Sequence, residues 1–191
     1  MLFGRSREVA SPVDDDKFAS VALALLDSLY GTALRLTRDA DRAQDLVQDT
    51  YLKAFRARAR FVEGTDLKAW LFTIMHNTWR NRRRDQARAR VEFDSEKADL
   101  AGEGGAAPTS YGAESPEAML LRADLEAELQ TALGCLPESF REAVWLRDVE
   151  DLSYQDIATV LAIPIGTVMS RISRGRKQLY QLLTAGSGVE Q

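Results

Sequence analysis

The residues best placed to do chemistry in this chain are cationic. Between Lys53 and Arg90 stand eleven basic residues (Lys53, Arg56, Arg58, Arg60, Lys68, Arg80, Arg82, Arg83, Arg84, Arg88 and Arg90) against three acids, Glu63, Asp66 and Asp85. A second group, Arg171, Arg174, Arg176 and Lys177, lies in a stretch with no acid between Asp156 and Glu190. Arginines clustered on a helix without acidic partners four residues away form a surface for phosphate. The whole chain carries net −4, from Lys+Arg 25 and Asp+Glu 29, so its average charge conceals two positive surfaces. Covalent and zinc chemistry find little support. The single cysteine, Cys135, excludes an intramolecular disulfide and fits a reducing compartment, and with one histidine, His76, no Cys/His zinc site assembles. A carboxylate-only metal site stays formally open, with nothing pointing to it. No nucleophile constellation or Gly-Lys-Ser/Thr phosphate loop is visible, so an enzyme is the least favoured class and no cofactor is expected.

These cations must be held by helices. A 191-residue chain that is 45% hydrophobic and 28% charged has room for one ordinary domain or two small ones with real cores. Five prolines and few strand-like runs predict an all-α fold. The apolar period of Phe18, Val21, Leu25, Leu29, Ala33 and Leu36 predicts a first helix over 16–38. A second, over 40–59, would bury Ala43, Leu46, Val47, Thr50, Tyr51, Ala54 and Phe55. A third, capped by Thr65 and reaching Arg90, would bury Leu67, Trp70, Leu71, Ile74 and Thr78.

Residues 91–115, with five glycines and prolines and net charge −5, read as a flexible acidic linker. Four shorter helices follow: one from Ser115-Pro116 to Leu133, one over 138–148, one opened by the S-x-x-D box Ser153–Asp156 and ending near Leu161, and a last over 166–183. The organisation is a disordered tail (1–15), a three-helix domain (16–90), the linker (91–115), a four-helix domain (116–184) and a C-terminal tail (185–191). No run reaches the 18 apolar residues of a membrane span, and the N-terminus lacks the apolar stretch of a secretory signal; a soluble cytoplasmic protein is expected.

Residues 153–178 have the helix–turn–helix layout that lays a second helix in a DNA major groove. Ile157, Ala158 and Leu161 are expected to pack on Ile163, Val168 and Ile172, leaving Thr167, Ser170, Arg171, Arg174 and Lys177 outward to meet base edges and phosphates. Ser153-Tyr154-Gln155-Asp156-Ile157-Ala158, followed by the run from Pro164 to Leu179, resembles the promoter-reading module of the extracytoplasmic-function group of the sigma-70 family, and Leu136-Pro137-Glu138 to Arg141 fits that module's opening. The first domain matches independently: Asp45–Phe55 resembles the group's polymerase-binding helix, and Leu67–Thr78 its promoter-melting segment. The run from Pro164 to Arg171 looks most like the thiol-oxidative-stress branch of that group.

The resemblance implies a dissociable specificity subunit of RNA polymerase, monomeric when free. Carried over by position, Asp45, Gln48 and Asp49, with Leu46, Val47 and Leu52, would dock on the clamp helices of the β′ subunit, the β subunit lying nearby. The i, i+3, i+4 spacing places the three polar groups on one face. Phe61, Val62, Glu63, Gly64, Thr65, Asp66 and Lys68 would capture an unstacked base of the −10 element, with Asn77, Arg80, Asn81, Arg83 and Arg84 lining the strand. Gln155, Thr167, Met169, Ser170, Arg171, Ser173, Arg174, Arg176 and Lys177 would read the −35 element. Trp70 reads as core, while Phe72 and Trp79 lie off the predicted apolar face and leave base stacking open; His76 reads as packing or surface. Met169, Ser173 and Ala162 depart from the commoner family pattern, which leaves the −35 sequence undetermined.

An anti-sigma protein is the expected regulator, and any redox or metal sensing would sit in that partner. The 25 linker residues stretch to about 80–90 Å but span only about 25–30 Å as a relaxed coil. Elements two helical turns apart lie about 70 Å from each other. Reaching both therefore requires something that holds the tether extended, a role the family assigns to the polymerase. The competing reading is a dimeric helix-turn-helix regulator of palindromes, which leaves the second helix and the acidic linker unexplained.

Overall fold

Apolar residues at three- and four-residue spacing form helices in both halves of the chain, and no strand occurs among the described residues. The computed structural model describes residues 15–62, 64–93 and 128–186, and the chain divides into two compact units, Met1–Gly104 and Gly105–Gln191. The predicted tail up to residue 14, the linker from residue 94, the helix start at Ser115-Pro116, Glu63 and residues 187–191 lie outside the described residues.

The first unit contains α1 (Asp15–Leu23), α2 (Leu26–Thr37), α3 (Ala40–Ala57), a 3-10 turn (Arg58–Arg60) and α4 (Leu67–Phe93). The single helix predicted over 16–38 is two, bent by 50° at Ala24–Leu25. Neither proline nor glycine causes the break; packing does. The bend turns Phe18 into an aromatic cluster with Phe55, Phe61 and Trp70, at ring-centroid distances of 5.5, 6.1 and 6.1 Å, while Leu29 and Ala33 of α2 are buried. Each such pair contributes about 0.5–1.5 kcal/mol beyond area burial. Val21 is consequently 47% exposed, and the predicted stripe is not continuous.

The start of α3 is fixed by Asp39, whose carboxylate accepts from Arg42 N at 2.9 Å, and its predicted core residues Ala43, Leu46, Val47, Thr50 and Ala54 are buried. The cap of α4 is Asp66 rather than Thr65. The Asp66 Oδ1 accepts from Lys68 N (2.8 Å) and Ala69 N (3.3 Å), while the Thr65 hydroxyl donates back to Val62 O (2.7 Å) and closes the preceding turn. That turn places Gly64 at φ 92°, a left-handed conformation suited to glycine. Because α4 lies against both α2 and α3, its buried face is wider than one stripe. It comprises Ala69, Leu71, Phe72, Met75, His76 and Thr78, with Leu67, Trp70 and Ile74 half-buried.

The second unit contains α5 (residues 128–135 described), α6 (Glu138–Asp148), α7 (Tyr154–Leu161) and α8 (Ile165–Gly186). Leu133, Leu136 and Val144 form a cluster joined by Leu179, and Leu146, Leu152, Ile157, Val160, Val168 and Ile172 are almost fully buried. Gly175 sets the distance between α8 and α6: a Cβ there would lie 2.6 Å from Val144 Cγ2 and 3.4 Å from Phe140 Cβ. Gly175→Ala is therefore expected to destabilise this unit by about 1–3 kcal/mol through overpacking, despite alanine's better helix propensity. A lowered urea midpoint of the full chain checks this; an unchanged or raised midpoint contradicts the tight crossing.

Candidate nucleic-acid interface

The helix-turn-helix is built from local bonds. Ser153 Oγ accepts from Asp156 N at 3.1 Å and donates to the Asp156 carboxylate at 2.5 Å, starting α7 as the capping-box pattern predicts. Ala162 adopts the left-handed region (φ 53°, ψ 49°) without being glycine, Ile163 N donates to Ala158 O at 3.1 Å, and α8 leaves α7 at 102°. That angle lies within the range of helix-turn-helix units. Ile157, Leu161, Val168 and Ile172 are buried as expected; Ala158 and Ile163 are only half-buried, and Val160 takes a core place that spacing did not single out.

The sequence-predicted residues of α8 do not form one surface. Ser170, Ser173, Arg174 and Lys177 are exposed on the side opposite Val168, Ile172 and Gly175. Thr167 and Arg171 are half-buried on one flank, and Met169, 50% exposed, shares the other with Arg176. Arg176 is tied back to the end of α6: its Nε donates to Asp148 Oδ2 at 3.0 Å and its Nη2 to Asp148 Oδ1, and this pairing raises the guanidinium pKa further. Arg176 thus joins α8 to α6 rather than projecting freely toward DNA. Gln155 is exposed in the first turn of α7. The α6–α7 loop is fixed by Arg147, which donates to Leu152 O at 2.9 Å and lies 5.4 Å over the Tyr154 ring.

The basic cluster of α4 divides by face. Asn77, Asn81, Arg84 and Arg88 recur every three or four residues and are exposed. Arg80 Nη2 donates to Asn77 Oδ1 at 2.6 Å and Arg84 Nη2 to Asn81 Oδ1 at 3.3 Å, so neighbouring side chains orient both guanidiniums. Arg83 lies 5.8 Å over the Trp79 ring, and Lys68 5.8 Å over Phe72. The segment expected to capture a base is less uniform. Phe61 faces inward, 5.4 Å from Trp70, whereas Val62 is 63% exposed and Gly64, Thr65 and Asp66 are exposed around it. Phe72 is fully buried, which removes it from base stacking; Trp79 is half-buried.

On α3, Asp45, Gln48 and Leu52 are exposed along one side and Asp49 is half-buried at its edge. Leu46 and Val47, predicted to share this contact, belong to the unit's own core, Leu46 being fully buried. Beside them an apolar groove of about 590 Å³ runs between α2 and α3, lined by Leu23, Leu26, Tyr30, Tyr51, Leu52 and Phe55, with Val47 at its base and Gln48 and Asp27 among its polar residues. Tyr51 donates to Ala22 O at 2.7 Å, and burial, then the Asp27 carboxylate, push its phenol up to about 12.

Residues 22–89 match the family described as sigma-70 region 2, and residues 126–179 that described as sigma-70, region 4. The RNA polymerase sigma-H factor of Pseudomonas aeruginosa is 37% identical over 172 residues, covering 89% of this chain and 88% of its own. The ECF RNA polymerase sigma factor EcfG of Rhodopseudomonas palustris is 36% identical, covering 88% and 86%. The chain belongs to the extracytoplasmic-function (ECF) group of the sigma-70 family. Among solved structures, the sigma factor RpoE in complex with the anti-sigma factor NepR from Bartonella quintana superposes with TM-score 0.69 at 32% identity, covering 88% of this chain and 98% of that one. CnrH in complex with the cytosolic domain of CnrY gives TM-score 0.58 at 25% identity, covering 91% of each chain. Promoter-specific initiation by RNA polymerase is accordingly the function of this ECF factor, in preference to that of a dimeric palindrome-binding regulator. No single helix among the described residues is long and apolar enough to cross a membrane.

Three features of the ECF factor escaped the sequence reading: the Arg176–Asp148 bridge, an ion pair of Arg82 with Asp49 at 2.5 Å, and the depth of His76. His76 is 3% exposed, and its Nε2, like Trp79 Nε1, lacks a hydrogen-bond partner. Burial, then the Arg80 charge, hold the imidazole down to about 3. In the unfolded chain His76 takes up a proton near pH 6.5 but in the folded chain only near pH 3, so its contribution is complete above about 6.5 and is lost as pH falls toward 3. The urea midpoint of the wild type is therefore expected to fall more steeply across that window than that of His76→Met. Parallel pH profiles would contradict a neutral buried imidazole.

Proposed function

We propose that this sigma factor engages core RNA polymerase through the exposed side of α3 and promoter DNA through two separate cationic faces. Asp45, Gln48 and Leu52, with Asp49 at the edge, meet the β′ clamp helices; Leu46 and Val47 shape that face from beneath. The first domain, carrying α1–α4, serves the −10 element. Its Asn77–Asn81–Arg84 side lines the separated strand together with Arg80 and Arg83, while Val62, Glu63, Gly64, Thr65, Asp66 and Lys68 surround the flipped base and Phe61 anchors their turn from within. The four-helix domain (116–184) serves the −35 element through Gln155, Ser170, Ser173, Arg174 and Lys177, flanked by Thr167, Arg171 and Met169. The residues that follow α4 link the two domains, and the polymerase sets the spacing between them.

The single observation that carries this reading is the division of α4 into an inward face against α3 and an outward row of Asn77, Asn81, Arg84 and Arg88. One helix thereby serves docking on one side and nucleic acid on the other. The protein is a cytoplasmic monomer when free and performs no catalysis of its own; an anti-sigma protein holds it inactive, a reading supported by the similar RpoE in complex with the anti-sigma factor NepR. The apolar α2–α3 groove is suited to an amphipathic helix of such a partner.

Reconstitution with sigma-free core polymerase on a promoter library tests the reading: transcripts must depend on this chain. Reversing the docking charge with Asp45→Arg and Gln48→Arg together is expected to weaken core binding by about tenfold or more. Titration of labelled factor with core measures it, and undiminished affinity refutes the docking face. Arg174→Ala is expected to cost about 1–3 kcal/mol of holoenzyme–promoter affinity if Arg174 reads a base edge. Gel-shift titration against promoters differing only in the −35 element distinguishes this from a phosphate contact, which would weaken all of them equally.

A further inference from the structure

Arg82 sits among the arginines of α4 in sequence but not in space. Counting from Leu71 through Met75 and Thr78, it continues the inward row at the same three- and four-residue steps, and it is half-buried where Arg84 and Arg88 are exposed. Its Nη2 lies 2.5 Å from Asp49 Oδ2 and 3.2 Å from the main-chain oxygen of Asp45, so one donor group bridges two residues of the proposed docking face. Four residues further along α3, Lys53 Nζ donates to Thr78 Oγ1 at 3.0 Å. As residue number rises by four on α3 it falls by four on α4, so the two contacts are successive rungs of one antiparallel seam.

We propose that Arg82 is a positioning residue for polymerase docking rather than a DNA contact. Asp49 stands at the edge of the exposed row Asp45–Gln48–Leu52, with its carboxylate free to swing toward solvent unless something holds it. The guanidinium fixes one carboxylate oxygen and, through the Asp45 carbonyl, the adjacent turn of the helix; the second oxygen of Asp49 stays available to a donor on the partner. A partially neutralised carboxylate held in place loses less side-chain freedom on docking than a mobile one. Lysine at this position keeps the charge but not the planar fork, and supports the arrangement less well.

This inference rests on the proposed α3 docking face and is tested by a double-mutant cycle on the full chain. Affinity for core polymerase is measured for wild type, Arg82→Ala, Asp49→Ala and the double variant, with Arg82→Lys alongside, at a temperature where all are folded by circular dichroism. Arg82→Ala is expected to weaken core binding by about two- to fivefold, the scale of a half-exposed charge pair. Arg82→Lys should recover part of that loss, and the effect of Arg82→Ala should shrink markedly once Asp49 is alanine, leaving only what the bond to the Asp45 carbonyl contributes. General loosening of α4 would lower affinity equally in both backgrounds, and that outcome overturns the proposal, as does wild-type affinity for Arg82→Ala. If neither Asp49→Ala nor the paired Asp45 and Gln48 reversal alters core affinity, the docking face itself is wrong, a failure distinguishable from that of Arg82 alone.

Discussion

Attraction between arginine and phosphate is strong, salt-dependent and blind to sequence. A protein that must find particular start sites cannot rest on it, and the rest of this structure answers that constraint. The arginines are mounted on helices whose opposite faces are locked into small cores, so each cation occupies a definite place along the DNA path. In the second unit the lock is Gly175 against Val144, together with Arg176 bound to Asp148. In the first it is the α3–α4 seam, where Arg82 meets Asp49 and Lys53 meets Thr78. In each unit one cation of a basic run is paired with a carboxylate on a neighbouring helix, which favours position over attraction.

Two small modules so built are expected to bind weakly and with little discrimination when separate. Promoter elements two helical turns apart lie roughly 70 Å from each other, a distance neither module spans alone. On the proposed reading, selectivity depends on a scaffold that sets the spacing, a role assigned to core polymerase. The proposed division of faces also suits regulation: a partner covering the α3 side and the neighbouring α2–α3 groove would block the proposed docking face while leaving the proposed base-reading residues untouched.

Much of this was legible in the sequence because helical periodicity and capping chemistry are local. The all-α class and the starts of α3, α6 and α7 follow from spacing and capping within single helices; for α3, spacing also places Asp45 and Gln48 on one exposed side, while their proposed docking role rests on the family resemblance. What was not legible depends on contacts between helices. The bend at Ala24–Leu25 arises because Phe18 finds Phe55, Phe61 and Trp70, and nothing in residues 16–38 alone announces it. One exception is local: Asp66 displaces Thr65 as the cap because the Thr65 hydroxyl is taken up by Val62 O three residues earlier. Phe72 and Trp79 fall off a single apolar stripe, yet Phe72 is fully buried and Trp79 half-buried because α4 touches two neighbours rather than one, and the same packing buries His76. Arg82 and Arg176 looked like members of phosphate-binding runs, and only their cross-helix carboxylates, Asp49 and Asp148, separate them from the rest.

The most direct measurement is the ratio of affinities for a cognate promoter and for the same DNA with both elements scrambled, determined at one fixed salt concentration for the free chain and for its complex with core polymerase. If spacing by the scaffold creates selectivity, the free chain should show a ratio within about tenfold of unity, and the complex about 10³ or more. A free chain that discriminates as sharply as the complex would contradict the account.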